Sequence, residues 1–498
     1  MRSALAVASE CAPLVKTGGL ADVVGALPGA MAREGWRLRT LLPGYPSVLA
    51  QVAFSGEAGV EESDLFGGRA RVRPGTSHGL DLLVLEAPHL FERPGTPYQD
   101  PEGRDWSDNP ERFAALSWMA ARIGVEGLQG WSPEVLHLHD WQAGWVPVYL
   151  PLLRDRARGK AGPPKPLPGT LFTVHNIAFQ GLAPSDKRAR LRLPASGFHV
   201  RGFEYYGHLS ALKAGLVGAD ALTTVSPAYA RELRTPEFGM GMQGVIEERA
   251  DRWSGILNGI DTESWNPARD PEILPFQSAR GKAANRKRLL EELGIIDSGG
   301  PLCAVVSRLT RQKGLDVLLA ALPALLERGG SLALLGSGDP ALEEAWLAAA
   351  RRESAVAVRR GYDEGLARRL FAGADAVLVP SRFEPCGLTQ LCALRYGAIP
   401  VVAQTGGLAD TVIHANEAAL RVGVATGIQF PAPSLGGEEE TWDASVRDLA
   451  QALVHLTELF RDRPTWAKMR RNALKHPVGW EASAPRYASL YKAIAPLP

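Results

Sequence analysis

Two series of short apolar, β-branched runs, each interleaved with stretches of helical periodicity, constrain the fold of this chain more than any other feature. The first series predicts strands at Ala4–Ala8, Leu38–Leu42, Leu82–Leu85, Val135–Leu138, Leu171–Val174 and Ala221–Val225. The second predicts strands at Leu302–Ser307, Leu332–Leu335, Val356–Val358, Ala376–Val379 and Pro400–Ala403. Strands alternating with helices read as βαβ units, and therefore as an α/β fold with mostly parallel, doubly wound sheets. Because the pattern occurs twice in 498 residues, two such domains are expected. The boundary is placed near Asn258-Gly259-Ile260-Asp261, after a polar helical stretch at Gln243–Trp253 and before Trp265-Asn266-Pro267 and a helix rich in Lys and Arg. This gives an N-terminal domain of residues 1–255, a C-terminal domain of 256–478 and a last segment, 479–498. The helix expected there, Trp480–Ala493, packs on one domain or the other.

Composition narrows the function classes. Hydrophobic residues make up 45% and charged residues 22% of the chain, and the formal net charge is +1. That balance suits a globular protein with a sizeable core and argues against a general polyanion binder, so no nucleic-acid partner is expected. The four cysteines, Cys11, Cys303, Cys386 and Cys392, form no CxxC pair and read as reduced thiols. The apolar start of the chain is too short for a secretion signal, and no apolar run reaches membrane-spanning length. The expectation is a cytoplasmic protein without a membrane partner. Two stretches read as long loops: Phe91–Arg112, dense in Pro, Gly, Asp and Asn, and the Pro-rich Arg158–Gly169.

Open α/β sheets bind ligands at the carboxyl ends of their strands, so the residues after each strand carry most of the functional signal. The first strand is followed by SECAPLVKTGGLADV, Ser9–Val23. Gly18 and Gly19 there allow close backbone approach, the following helix start favours phosphate, and Lys16 adds positive charge. Such a Gly-Gly turn is equally an ordinary loop. His139-Asp140 follows the fourth strand and His175-Asn176 the fifth, so polar tips on neighbouring strands are positioned to share one site. His139 beside Asp140 has the residue types of a hydrolase pair, but no GxSxG elbow is present. The histidines lack helical metal-ligand spacing, and no metal is expected. In the second half, Arg308 and Lys313 flank the turn after Leu302–Ser307, a forked donor and a point charge suited to a diphosphate or to a solvated turn. LGSGD at Leu335–Asp339 is a weak nucleotide loop. Glu384 lies just beyond strand Ala376–Val379 and ahead of the helix start Gly387-Leu388-Thr389, where a carboxylate meets sugar hydroxyls while backbone N–H groups meet phosphate. Thr405-Gly406-Gly407 repeats the Gly-Gly arrangement after the next strand.

These segments, in this order, resemble the glycogen and starch synthase family, retaining glucosyltransferases of the GT-B fold: two facing Rossmann-like, doubly wound domains with a deep cleft between them. The resemblance runs through KTGGLADVVGALP (Lys16–Pro28), RPGTPY (Arg93–Tyr98), HDWQAG (His139–Gly144), HNIAFQG (His175–Gly181), TVSPAYARE (Thr224–Glu232), LNGID (Leu257–Asp261), SRLTRQKGLD (Ser307–Asp316), SRFEPCGLTQ (Ser381–Gln390) and TGGLADTV (Thr405–Val412). It implies transfer of glucose from ADP-glucose, as co-substrate, to the non-reducing end of an α-1,4-glucan such as glycogen or a maltooligosaccharide, with no other cofactor. The N-terminal domain would take the acceptor and the C-terminal domain the donor. By position in the motifs, Lys16 matches the donor-binding lysine. Arg308 and Lys313 match the pair that neutralises the leaving diphosphate, Glu384 the essential glutamate, and His175 the histidine beside the reacting sugar. Gly18, Gly19, Asp22, His139, Asp140, Asn176, Asn258, Gly387, Leu388 and Thr389 match the substrate-binding surround.

Gln142 stands where bacterial members often carry His, and starch synthases share the Gln. Cys392 stands where many other GT-B enzymes carry a second glutamate that this family generally lacks. The alternatives are a GT-B enzyme using UDP-glucose or another acceptor, a PLP-dependent phosphorylase, and a non-catalytic glucan or sugar-nucleotide binder. Exposed Trp or Tyr would offer further glucan-stacking surfaces.

Overall fold

The first strand begins at Arg2, where an apolar run buried on both faces enters the centre of a parallel sheet, and the rest of the N-terminal part assembles around it. The computed structural model describes residues 1–56, 59–157, 166–436 and 438–496. Most of the Pro-rich stretch, residues 158–165, lies outside the described residues. The chain divides into two units, Met1–Asn258 with Trp480–Pro498, and Gly259–Gly479.

Unit 1 contains strands β1 (Arg2–Val7), β2 (Trp36–Pro43), β3 (Ala53–Phe54), β4 (Val60–Glu62), β5 (Ala70–Ser77), β6 (Leu80–Glu86), β7 (Val135–His139), β8 (Gly169–Val174), β9 (Leu182–Pro184), β10 (Glu204–Tyr205), β11 (His208–Ser210), β12 (Ala221–Thr224) and β13 (Trp253–Gly255). Among the described residues, ten form one sheet, ordered β13-β12-β8-β7-β1-β2-β6-β5-β3, with β4 paired to β5. From β13 to β6 every pairing is parallel. Two features depart from the sequence reading. An antiparallel extension, β3 to β5, continues the sheet beyond β6, and β9 to β11 form a separate small antiparallel sheet. Phe91–Arg112 is also not a loop throughout: a helix starts at Asn109, and Arg112 lies inside it, fully buried. Its guanidinium donates to the carbonyls of Leu90 and Pro97, both at 2.8 Å, tying the loop to the helix. Trp253 begins β13 rather than ending a helix.

The last helix, Ala484–Ile494, belongs to unit 1, where Tyr487 and Tyr491 join a core with Ala4, Leu27, Trp36 and Leu171. Tyr491 meets the Trp36 ring edge-on, with ring centroids 5.0 Å apart. Its hydroxyl also bonds to His137 Nδ1 at 2.7 Å, partnering a wholly buried imidazole.

Unit 2 contains β14 (Leu302–Val306), β15 (Ser331–Gly336), β16 (Val356–Arg360), β17 (Ala376–Val379), β18 (Ile399–Ala403) and β19 (Ile428–Phe430). They pair in parallel in the order β16-β15-β14-β17-β18-β19. Counted within the unit this is 3-2-1-4-5-6, the doubly wound order whose switch point lies between its first and fourth strands. All four cysteines are buried, and among the described residues none forms a disulfide. Among the described residues no helix is long and apolar enough to cross a membrane.

Tyr491→Phe removes one hydroxyl and leaves His137 Nδ1 buried without that partner. Denaturant unfolding is expected to show a loss of about 1–3 kcal/mol with the secondary structure of the folded fraction unchanged. An unchanged unfolding free energy would contradict the role given to this bond.

Candidate active site

In unit 2 the switch point lies between β14 and β17, and the loops that leave these two strands are locked together. Arg382 N donates to Gln312 O at 2.8 Å, and Gln312 Nε2 donates to Phe383 O at 3.1 Å. The buried Arg382 forks onto both carboxylate oxygens of Asp316, each at 2.8 Å. Gly314, with φ +64°, closes the contact: a Cβ there would sit 1.9 Å from Pro380 O, so only glycine lets the two backbones approach this closely.

This frame holds the charged groups. Lys313 Nζ lies 2.6 Å from Glu384 Oε2, with the two side chains only 17% and 10% exposed. Ser381 Oγ donates to the same Oε2 at 2.8 Å. Arg308, after β14, is exposed, and its guanidinium makes no ion pair among the described residues. The loop after β18 packs beneath: at Gly406 (φ +43°) a Cβ would lie 2.0 Å from Glu384 O, so this glycine fixes the height of the glutamate. Gly387 and Leu388 lead into the helix Thr389–Arg395, whose start no side chain caps. Gln390 Nε2 donates to Cys386 O and Gly387 O and stiffens that turn. The structure thus brings Arg308, Lys313, Glu384, Gly387, Leu388 and Thr389 to one edge of the unit 2 sheet. The LGSGD segment leaves the neighbouring strand, where Asp339 caps the helix Pro340–Arg352.

Unit 1 repeats the logic. Its switch point lies between β1 and β7, and Lys16, Asp140, His175 and Asn176 leave the carboxyl ends of β1, β7 and β8. Lys16 Nζ lies 2.7 Å from Asp22 Oδ1, in the first turn of the helix Gly19–Arg33. Gly18 has φ −157°, and a Cβ there would meet nothing within 4 Å, so neither conformation nor packing inside the chain demands glycine. Asn258 closes the unit, with its Oδ1 buried and unpartnered among the described residues.

Glu10 and Tyr98 were not read as site residues, yet they organise this loop. The Glu10 carboxylate accepts from Thr17 N, from Thr17 Oγ1 at 2.7 Å, from Gly18 N at 3.3 Å and from the Tyr98 hydroxyl. Tyr98 also contacts Ser9 Oγ at 2.8 Å and receives Gln142 Nε2 at 3.2 Å. A carboxylate three residues past the first strand, with a tyrosine closing the RPGTPY loop, is the signal that would have pointed to them.

A column of buried imidazoles lies behind the strand tips. His137 and His139 rings are 4.1 Å apart, His139 Nδ1 is 3.0 Å from His175 Nε2, and His137 Nε2 is 2.7 Å from Thr173 Oγ1. Asp140 holds φ +55°, a strained value for a non-glycine residue, while its Oδ1 accepts from His175 N at 2.6 Å. Burial pushes His137 and His175 down to about 3 and His139 well below the usual histidine range. Burial pushes Asp140 up to about 7, against the backbone donors of His175 and Asn176. Among the described residues no group of three His, Cys, Asp or Glu has the arrangement to hold a metal ion.

Comparison with known proteins adds to this geometry. Residues 3–248 match the starch synthase catalytic domain, and residues 300–430 match glycosyl transferases group 1. The chain is 56% identical over 497 residues to the glycogen synthase of Paracoccus denitrificans (strain Pd 1222), covering 99% of this chain and 100% of that protein. It is 54% identical over 495 residues to the glycogen synthase of Jannaschia sp. (strain CCS1), with 99% and 100% covered. Its structure is similar to the catalytic domain of starch synthase IV from Arabidopsis thaliana bound to ADP and acarbose, with TM-score 0.84, 29% identity and 99% of both chains covered. Two doubly wound units, each with polar groups at its switch point and each matched by a glycosyltransferase model, define a hexosyltransferase of the GT-B class. Within that class, the chain belongs to the glycogen synthase family.

The buried groups set a pH dependence. Each histidine binds a proton near pH 6.5 when unfolded, whereas in the folded protein burial holds His137 and His175 down to about 3 and His139 well below the usual histidine range. Its stabilising contribution is therefore full above pH 6.5 and is lost as pH falls toward 3. Asp140 acts oppositely: its folded value is raised, so its contribution is present below about pH 4 and is lost as pH rises through 7. Three histidines outweigh one aspartate. Unfolding free energy is expected to fall between pH 6.5 and 4.5, by up to about 1.4 kcal/mol per pH unit for each net proton. Asp140→Asn should steepen that fall and His139→Gln should make it shallower. A flat profile in denaturant titrations would contradict neutral burial of the column.

Proposed function

We propose that the protein transfers glucose from ADP-glucose to the non-reducing end of an α-1,4-glucan, with retention of configuration and release of ADP. The observation that carries this reading is the cluster at the unit 2 switch point: the exposed Arg308 and the Lys313–Glu384 pair on two interlocked loops. Breaking the bond between glucose and phosphate leaves an oxocarbenium-like sugar and a strongly anionic nucleotide. Positive charge fixed beforehand where that anion forms stabilises the transition state more than the ground state. In this reading Arg308 and Lys313 supply that charge without a divalent metal. The N–H groups of Gly387, Leu388 and Thr389, at an uncapped helix start, add donors for the phosphates.

Glu384 then faces the donor glucose. Its Oε2 is already engaged by Lys313 and Ser381, so the carboxylate is held in one orientation. That suits hydrogen bonding to sugar hydroxyls better than attack on the anomeric carbon. Retention would arise from attack on the face the diphosphate leaves, the departing oxygen taking the proton of the acceptor hydroxyl. In unit 1, neutral His175 serves as a hydrogen-bonding partner for the reacting sugar, and Lys16 and the Gly18–Gly19 turn contact the donor. The open space at Gly18 is room for a ligand rather than for a neighbouring side chain. The 56% identity to a full-length glycogen synthase supports the choice of donor and acceptor.

Nucleoside diphosphate release should be measured from ADP-glucose and from UDP-glucose, each with and without glycogen. The expected result is glycogen-dependent release with a strong preference for ADP-glucose. A preference for UDP-glucose would overturn the donor, and no release from either by folded protein would overturn the activity. Arg308→Ala is expected to lower turnover on the order of 10²-fold without loss of fold, since that side chain is exposed.

A further inference from the structure

None of the twelve tryptophans is exposed, yet unit 1 carries large exposed apolar side chains on its small antiparallel sheet and the loops beside it. Tyr206, 79% exposed, forms the tip of the hairpin joining β10 and β11. The ring of Tyr205 stands edge-on to it, with centroids 4.7 Å apart. Tyr205 Oη donates to Met240 O at 2.6 Å, and Gln180 Nε2 donates to the same carbonyl at 3.2 Å. Met240 is itself 42% exposed, and Phe179, next in the chain to Gln180, is 54% exposed. Gln180 is nine-tenths buried, and its Oε1 has no partner among the described residues.

Two details mark this as a built surface. Tyr206 and Met240 hold φ of +45° and +46°, a region bulky side chains avoid, and the hydrogen bonds to Met240 O keep the second of them there. Rigid rings present contact area with little ordering cost on binding. Around the tip, Glu204 Oε1 accepts from Gly207 N at 2.7 Å, His208 Nδ1 lies 3.1 Å from Tyr206 O, and the ammonium of Lys213 is turned onto the carbonyls of Val200 and Glu204, each at 2.6 Å. Exposed rings beside amide and carboxylate groups suit an uncharged ligand with one apolar face and an edge of hydroxyls, which describes a pyranose. The platform is also joined to the loop that carries His175: Phe179 N donates to Asn176 O at 3.3 Å.

We propose that the tip formed by Tyr205, Tyr206 and Met240 is a docking surface on unit 1 for the outer sugars of an α-glucan acceptor, stacked on the Tyr206 ring. This rests on the transferase reading above and adds to it a contact that raises affinity for long chains without touching the reacting groups. Short maltooligosaccharides that fill only the reacting end would gain nothing from it.

Tyr206→Asn tests the surface, because asparagine tolerates positive φ and keeps the turn while removing the ring. Tyr206→Trp restores a stacking face. Glycogen-dependent retardation in native gels and initial rates with glycogen, maltotriose and ADP-glucose should be compared across wild type and both variants. Tyr206→Asn is expected to weaken glycogen retardation and raise the KM for glycogen by roughly three- to tenfold. Its kcat, its KM for ADP-glucose and its KM for maltotriose should be unchanged, and Tyr206→Trp should recover wild-type behaviour. Wild-type glycogen affinity in Tyr206→Asn would overturn the proposal, as would an equal loss with maltotriose or failure of tryptophan to rescue. If wild type itself transferred no glucose from ADP-glucose, the transferase reading would fail, and gel retardation alone would then decide whether the tip binds glucan.

Discussion

The ion pair between Lys313 and Glu384 is the contact around which unit 2 is arranged. Two largely buried charges 2.6 Å apart are a poor source of stability, since desolvation offsets most of their attraction. Removing either one, by contrast, leaves the other uncompensated at a cost of about 3–5 kcal/mol. The surrounding chemistry makes sense as support for that pair. Gly314 lets the two loops touch, Arg382 and Asp316 lock them, Gly406 sets the backbone of Glu384, and Ser381 occupies the carboxylate oxygen already bound by lysine. Each of these is a local choice of residue that would be costly or pointless in a plain surface loop, and together they place positive charge and a fixed carboxylate at the switch point.

Unit 1 solves a different problem with different means. Its polar tips stand over a column of imidazoles kept neutral by burial, and the last helix supplies a hydroxyl to His137. A neutral column beside Asp140 lets the strand ends carry polar groups without gathering charge. Glu10 gives the K-T-G-G loop its shape by accepting several donors at once, so Lys16 is displayed from a loop held at both ends.

All eleven strands expected from apolar runs are present, because parallel strands buried on both faces are nearly continuous in Val, Leu, Ile and Ala and stand out in one sequence. Strands that were not legible had other reasons to form. β5 contains Pro74 and Gly75, which weaken any strand signal, yet it pairs with β6 from Arg71 to Ser77. β13 and β19 are three residues each and exist only because the sheet edge offers partners. Residues at strand ends were legible as candidates by position, and family resemblance attached roles to them. What could not be read was partnership across long separations: Lys313 with Glu384, Glu10 with Tyr98, and His137 with Tyr491 are 71, 88 and 354 residues apart. Nor could exposure be read: of the aromatic residues weighed for stacking, no tryptophan is exposed, whereas Tyr206 is.

In the proposed reaction Arg308 and Lys313 do for the diphosphate what a metal does elsewhere. Calorimetric titration of ADP into the protein in the presence of EDTA tests this most directly. ADP is expected to bind wild type without divalent metal, and Arg308→Ala to weaken binding by roughly ten- to a hundredfold, the loss of a charge-assisted hydrogen bond. Equal affinity in wild type and Arg308→Ala, or binding only when a divalent metal is restored, would contradict it.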